Sequence, residues 1–209
     1  MSDIKDVYIE FEECFTKLVA KIGFKKVRKK HYIRMIGQCI QHINILDTKI
    51  KGQQAINIRI SVGVTYTEIN KKVAELRMKK YDSGWATGAI DLGALSIPPE
   101  NLTRYLTLES NVLILCEELF EKIESNASRF WDKTDSAEKM LVALLNDDKE
   151  VCSSTSGLWR PSWTSLAIVC VIDPTRINEV LKKYEDFFAK NMNNETRNSL
   201  KEKYSLEEM

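Results

Sequence analysis

A strictly alternating segment between Ala55 and Tyr66 constrains the fold more than any other part of the sequence. Five apolar β-branched residues occupy every second position there: Ile56, Ile58, Ile60, Val62 and Val64. The positions between them hold small or polar residues. A period of two places the apolar side chains on one face of a strand and the others on the opposite face. The segment therefore predicts a sheet with one buried face and one polar face, as is typical of antiparallel sheets.

Helical periodicity surrounds this predicted sheet. Apolar residues near the N-terminus recur every three or four positions, and Gly23 is suited to end that helix. A long central helix is predicted to begin at Thr107, and Gln38–Leu46 is expected to pair with the alternating strand through a turn near Gly52. We therefore expect an α+β fold: an antiparallel sheet of about four or five strands. The N-terminal helix and the long central helix would pack on it, followed by a helical C-terminal part.

The domain boundary is predicted from the change in pattern after Asp132. We expect an α+β domain over residues 1–132 and a helical C-terminal extension packed on it over residues 133–209. Within this extension, Asp135 and Glu138 resemble a capping box at the start of a helix. The very apolar segment Pro161–Ile172 predicts a further helix, with proline at its first position.

The charge of the chain is almost balanced, with 31 basic and 30 acidic side chains and a formal net charge of +1. This balance provides no overall field that would draw the chain to nucleic acid or to an anionic membrane. The most apolar run, Leu166–Ile172, is far shorter than the roughly 20 residues that a membrane-spanning helix needs. The acidic, polar N-terminus lacks the features of a signal peptide. We therefore expect a cytoplasmic protein that does not bind membranes.

The sequence contains few residues that could form a site for a metal ion or a cofactor. The five cysteines are Cys14, Cys39, Cys116, Cys152 and Cys170. They include no CxxC pair, so we interpret them as reduced thiols rather than as zinc ligands. The chain has only two histidines, His31 and His42, so few imidazole groups are available as metal ligands. The sequence predicts neither a metal site nor a cofactor.

A basic cluster precedes the predicted sheet. It comprises Lys25, Lys26, Arg28, Lys29, Lys30, His31 and Arg34, with Tyr32 among them. One interpretation is a phosphate-contacting patch with an aromatic ring that stacks on a base. The other is a solvated hairpin edge whose lysines discourage aggregation between sheet edges. Because no second basic stripe supports the first interpretation, nucleic-acid binding is the less favoured expectation.

The polar face of the predicted sheet is the main candidate site. Its residues are His42 and Asn44 on one strand and Asn57, Arg59 and Ser61 on the next. Pairing through the predicted turn would gather these side chains on the face away from the core. Together they offer hydrogen-bond donors for an anionic or amide-bearing ligand. The alternatives are an ordinary hydrated sheet face, or a face covered by the C-terminal helices.

Catalytic arrangements are harder to find. Cys39 and His42 are residue types that can act as nucleophile and base. Three positions apart on a strand, they point to opposite faces, which argues against a catalytic dyad. On the central helix, Glu118 and Lys122 are four residues apart and indicate an exposed, ion-paired helix face. An enzyme is therefore the less favoured expectation.

Three short motifs follow one another along the chain: Gly23-Phe24-Lys25-Lys26, Gln41-His42-Ile43-Asn44-Ile45 and Arg129-Phe130-Trp131-Asp132. Through them, the segment from Phe15 to about Trp131 resembles the uncharacterised bacterial family catalogued as domain of unknown function 4304. The chain departs from that family after Leu95, where its members have a more basic strand. The resemblance implies a bacterial α+β protein, and it supplies no activity and no catalytic residue.

Two classes of function follow from these observations. The first is a cytoplasmic binding or interaction module without catalysis; one form of it would neutralise a partner protein, as bacterial immunity proteins do. The second is a small-ligand-binding protein or enzyme that uses the polar sheet face, with His42 and Arg59 at its centre. The expected partners are accordingly a protein or a small anionic ligand.

Overall fold

The computed structural model describes residues 3–155 and 160–206. In that part of the chain, the strands are β1 (Lys25–Arg28), β2 (His31–Ile36), β3 (Cys39–Lys49), β4 (Ala55–Thr65), β5 (Gly88–Asp91) and β6 (Arg104–Thr107). The helices are α1 (Ile4–Lys21), α2 (Thr67–Leu76), α3 (Val112–Lys122), α4 (Ser128–Asp132), α5 (Ala137–Leu145), α6 (Lys149–Ser154), α7 (Pro161–Ile172), α8 (Ile177–Lys183), α9 (Glu185–Asn191) and α10 (Asn194–Tyr204). A π-helical turn over Ile123–Ala127 joins α3 to α4. The predicted α+β fold is confirmed.

The described strands form one sheet in the order β1–β2–β3–β4–β5, and β6 also pairs with β4. β2 and β3 are antiparallel, with Ile33 opposite His42. β6 is antiparallel to β4, with Tyr105 opposite Asn57. The turn between β3 and β4 includes Gly52, as the sequence predicts. The antiparallel sheet expected from the alternating strand is therefore present.

The chain divides into two compact units. The first comprises the described residues up to Gly63 together with Ala89–Asp132. The second comprises Val64–Gly88 together with the described residues from Lys133 onward. Most of the sheet, α1, α3 and α4 thus belong to the first unit, whereas α2 and α5 to α10 belong to the second.

The first unit is built around the apolar face of its strands. α1 and α3 pack against each other, and Phe11 and Phe15 of α1 stack with their ring centroids 5.7 Å apart. Phe15 also meets Tyr32 of β2 edge-on, at 5.6 Å. Ile58 and Ile60 of β4 are almost completely buried. Burying each of these large apolar side chains stabilises the fold by about 1.5–3 kcal/mol.

The second unit is built around α7, which packs against α2, α5 and α8. Its residues from Ser162 to Cys170 are buried. Trp163 of α7 meets Phe188 of α9 edge-on, with the ring centroids 5.2 Å apart. The Tyr66 hydroxyl donates to the Thr134 carbonyl at 2.6 Å. A helix that is apolar on all sides must be buried on all sides, which explains why the predicted helix over Pro161–Ile172 lies at the centre.

Two helix starts differ from the sequence expectation. The central helix does not begin at Thr107, because Arg104–Thr107 forms β6 and pairing with β4 buries Leu106. Asn111 caps α3 instead, and its side chain accepts the amide of the third helical residue at 3.2 Å. Ser136, rather than Asp135, caps α5 in the same way, also at 3.2 Å. In both cases a residue further along the chain, with a favoured capping side chain, begins the helix.

Gly93 packs closely against the backbone of Glu100 and Leu102 in the first unit. A Cβ atom at this position would be 2.2 Å from the Glu100 carbonyl oxygen and 3.1 Å from the Leu102 nitrogen. We expect Gly93→Ala to lower the free energy of unfolding by about 2–3 kcal/mol, because the backbone must move to accommodate the methyl group. Urea denaturation measures the change. Gly52→Ala is the control: it meets no atom within 4 Å but has a φ of +78°, so we expect a loss of about 1 kcal/mol. Equal losses for the two variants would contradict the crowding at Gly93.

Candidate functional site

The five predicted site residues share one face of the sheet. Along β3, the predicted residues are partly exposed and alternate with buried ones such as Gln41 and Ile43. Along β4, they alternate with the buried isoleucines. We call this side the outer face. On β1 to β4 and β6 its residues include Lys25, Arg28, His31, Ile33, Met35, Ile40, His42, Asn44, Leu46, Asn57, Arg59, Ser61 and Tyr105.

A tight turn brings the two histidines of the chain together on the outer face. Gly37 and Gln38 connect β2 to β3, and Gly37 adopts a left-handed conformation with a φ of +56°. A two-residue turn fixes the strand register, which places His31 opposite Asn44 and makes it a diagonal neighbour of His42. The two imidazole rings stack with their centroids 5.1 Å apart and an interplanar angle of 19°.

The hydrogen bonds of this histidine pair form a directed chain. The Nε atom of Arg28 lies 3.1 Å from His31 Nδ1, and His31 Nε2 lies 2.9 Å from His42 Nδ1. A guanidinium group only donates, so His31 Nδ1 must accept. The proton of a neutral His31 is then on Nε2 and is donated to His42 Nδ1. Arg28 therefore determines the tautomer of both rings.

The surroundings of the pair keep both rings uncharged. Burial, followed by the neighbouring His31 and Arg28, lowers the pKa of His42 from 6.5 to about 4. Burial, and then Arg28, also lowers the pKa of His31. At neutral pH both rings are therefore uncharged, and the hydrogen bonds from Arg28 to His31 and from His31 to His42 fix their orientation.

The remaining predicted residues provide charge and hydrogen-bonding groups on β4. Arg59 is exposed and forms no salt bridge with any residue that the structure describes. The side-chain oxygen of Asn57 is buried, and no donor among the described residues reaches it. Ser61 is partly exposed. β4 thus adds a cation and an unsatisfied acceptor to the face that holds the histidine pair.

The outer face also combines positive charge with exposed apolar side chains. Met35, Tyr105 and Leu46 are 68%, 62% and 43% exposed. No carboxylate occupies an outer-face position on the described strands β1 to β4 and β6. Asp47 of β3 lies on the opposite face of the sheet, where it forms an ion pair with Lys30. The outer face is therefore an amphipathic surface with an excess of positive charge.

Sequence reasoning missed part of this surface. His31 was assigned to the basic cluster, although the two-residue turn at Gly37 could have shown that it pairs across from Asn44. Met35 is not among the predicted site residues, although Met35 and His31 are four positions apart on β2 and so lie on the same face. The sequence does not indicate Tyr105, because the only element predicted in this region is the central helix from Thr107. No local pattern in the sequence indicates that β6 pairs with β4.

The basic cluster does not form a single patch. Lys26 forms an ion pair with Glu12 at 3.1 Å, on the side of the sheet opposite the outer face. Arg34 packs over the rings of Phe24 and Trp131 at 4.7 Å and 5.2 Å. Tyr32 is completely buried. The interpretation of Tyr32 as a platform for stacking a base is therefore wrong, because its ring belongs to the core of the first unit.

In residues 3–155 and 160–206, no group of three or more His, Cys, Asp or Glu side chains is arranged to hold a metal ion. Cys39 is fully buried on the face opposite His42, and none of the five cysteines, all of which lie in the described ranges, forms a disulfide. Within those ranges, no helix has both the length and the apolar character that crossing a bilayer requires.

Comparisons with protein-family models, with curated proteins and with solved structures gave no match. The resemblance of Phe15–Trp131 to the family of unknown function therefore stays a prediction. The functional argument rests on the geometry and chemistry of the outer face.

Proposed function

We propose that this chain is a binding module without catalysis whose outer face docks an acidic protein partner. The observation that carries the proposal is the composition of that face: exposed apolar and basic side chains with no carboxylate on the described strands β1 to β4 and β6. Such a surface is complementary in charge to an acidic one.

The residue types on the outer face support a protein partner. Tyrosine, methionine and arginine are enriched in protein interfaces, and Tyr105, Met35 and Arg59 are all exposed here. Tyrosine and arginine are also frequent among the few residues that carry most of the binding energy. Small ligands, in contrast, bind in concave sites that bury most of their surface. The strong exposure of these side chains favours a broad docking surface.

The histidine pair gives this surface a specific polar centre. Its stacked rings, held by Arg28, have a fixed orientation. Fixed groups lose little conformational entropy on binding, which favours affinity. We propose that the partner packs against these rings and that Arg59 binds carboxylates of the partner.

The cellular setting belongs to the same proposal. Five cysteines without a disulfide support a reducing compartment, so we propose a cytoplasmic location. A bacterial origin rests on the family resemblance alone. A role in neutralising a partner, as immunity proteins do, is the form of this function that we propose to test first.

The test is affinity purification of the tagged chain from its native cells, followed by mass spectrometry. Arg59→Glu reverses a charge on the outer face, and Lys190→Glu makes the same charge change on α9, where Lys190 is also exposed. We expect one stoichiometric acidic protein with the wild type and with Lys190→Glu, and its loss with Arg59→Glu. With purified components, Arg59→Glu should weaken binding about 30-fold or more.

Two outcomes would contradict the proposal. A partner that binds Arg59→Glu as tightly as the wild type does not use the outer face. The absence of a protein partner, together with thermal stabilisation by a small anionic metabolite that His42→Ala and Arg59→Ala abolish, would support the small-ligand alternative. The buried, unsatisfied oxygen of Asn57 is the observation that favours that alternative.

A further inference from the structure

A second concave site lies in the first unit, on the side of the sheet opposite the outer face. It is a pocket of about 320 Å³ between the start of α1, the turn from β1 to β2 and the end of β3. Its charged lining consists of Lys5 from α1, Lys29 and Lys30 from the turn, and Asp47 and Lys49 from β3. Four lysines and one aspartate make the pocket strongly positive. Its volume lies in the range of small-molecule sites.

The ion pairs of the pocket leave two cations uncompensated. Lys30 is paired with Asp47, and Lys5 lies 4.0 Å from the Asp3 carboxylate. Lys29 and Lys49 form no salt bridge with any described residue. Glu12 lies nearby, but it accepts from Lys26 Nζ and from the Lys30 amide, each at 3.1 Å. The pocket therefore keeps about two positive charges for a bound anion.

Tyr8 gives the pocket a buried polar group without a partner. The residue lines the pocket and is only 7% exposed. Its hydroxyl is buried, and no hydrogen-bond partner lies among the described residues. Buried polar atoms in native proteins are almost always satisfied, so an unsatisfied hydroxyl at a pocket wall is a candidate donor to a bound molecule. Burial, and then Asp47 and Glu12, raise the pKa of Tyr8, so the hydroxyl keeps its proton and can donate it.

We infer that this pocket binds the phosphate group of a small phosphorylated molecule. The Tyr8 hydroxyl donates to a phosphate oxygen, and the ammonium groups of Lys29 and Lys49 balance its charge. A phosphate with about two negative charges at neutral pH matches two uncompensated lysines, and lysine is a common phosphate ligand. Ile9 and Ile56, which also line the pocket, contact the organic part of the ligand.

Isothermal titration with inorganic phosphate and with phenyl phosphate, at constant ionic strength, tests this site. We expect saturable binding at millimolar concentration or below, and tighter binding of phenyl phosphate. Tyr8→Phe removes only the hydroxyl and should weaken binding about tenfold. Lys49→Ala should weaken it as well. Lys17→Ala, at an exposed lysine of α1 that does not line the pocket, is the control and should bind as the wild type does.

The thermal midpoint of each variant separates loss of binding from loss of folding. Tyr8→Phe should melt at the wild-type temperature or above, because it removes an unsatisfied buried group. Binding of inorganic phosphate as tightly as phenyl phosphate would support the phosphate site with the free ion as its ligand. No saturable binding by the wild type up to about 10 mM would overturn the inference. Binding by Tyr8→Phe and Lys49→Ala equal to that of the wild type would also overturn it.

Discussion

Arg34→Ala is expected to lower the free energy of unfolding by about 4 kcal/mol. The guanidinium group of Arg34 donates twice to Gln41 Oε1, at 2.9 Å and 2.6 Å, and once to the Ile22 carbonyl at 2.7 Å. It also lies over the rings of Phe24 and Trp131. Gln41 is 2% exposed, so its amide oxygen would lose its donors inside the core. Urea denaturation of the wild type and the variant measures the loss.

Two further variants make this prediction specific. Arg34→Lys keeps the positive charge but cannot reproduce the planar fork or the stacking, so we expect a loss of about 2–3 kcal/mol. Arg59→Ala removes an exposed arginine from the same sheet and should change stability by less than about 0.5 kcal/mol. Arg34→Ala within about 1 kcal/mol of the wild type would show that Arg34 is a surface residue, as in the solvated-edge interpretation of the basic cluster.

His42→Gln should remove most of the histidine-dependent loss of stability in acid. The pKa of His42 is about 4 in the folded chain and near 6.5 in the unfolded chain. Below pH 6.5 the unfolded chain therefore takes up a proton that the folded chain does not. The contribution of neutral His42 to the free energy of unfolding is complete above about pH 6.5. It decreases as the pH falls to about 4. Allowing for the partial solvent exposure of His42, we expect the decrease to be about 2 kcal/mol.

Urea denaturation at several pH values between 7 and 4 tests this expectation, with the variant as the reference for all other titrating groups. The difference in unfolding free energy between wild type and His42→Gln should shrink as the pH falls. His31→Gln should show a smaller dependence, because the pKa of His31 is lowered by burial and by Arg28 alone. A difference that does not change with pH would contradict the conclusion that His42 is buried and neutral in the folded chain.

The alternating strand made the candidate site predictable. A period of two depends only on the local backbone, so parity was sufficient to place Asn57, Arg59 and Ser61 together. The same argument placed His42 and Asn44 on one face of β3. The turn at Gly52 then brought the two strands into one sheet, as expected.

The rest of the site depends on contacts between distant parts of the chain. β6 has only four residues and is stabilised by pairing with β4, so its own sequence carries a weak signal. Arg34 looked like part of a solvated edge, since nothing local shows that Phe24 and Trp131 come together around it. Tyr8 lies within the predicted N-terminal helix, and no local sequence pattern marks it as a pocket residue. Its unsatisfied hydroxyl appears only when α1, the β1–β2 turn and β3 are assembled.

Site-specific photo-crosslinking tests the central claim most directly. Tyr105 is exposed on the outer face and is replaced by benzoylphenylalanine, with the same replacement at the exposed Lys190 of α9 as control. If the outer face docks an acidic protein, irradiation in native cells should give one crosslinked acidic protein from position 105 and none from position 190. A protein crosslinked equally from both positions, or from position 190 alone, would contradict it.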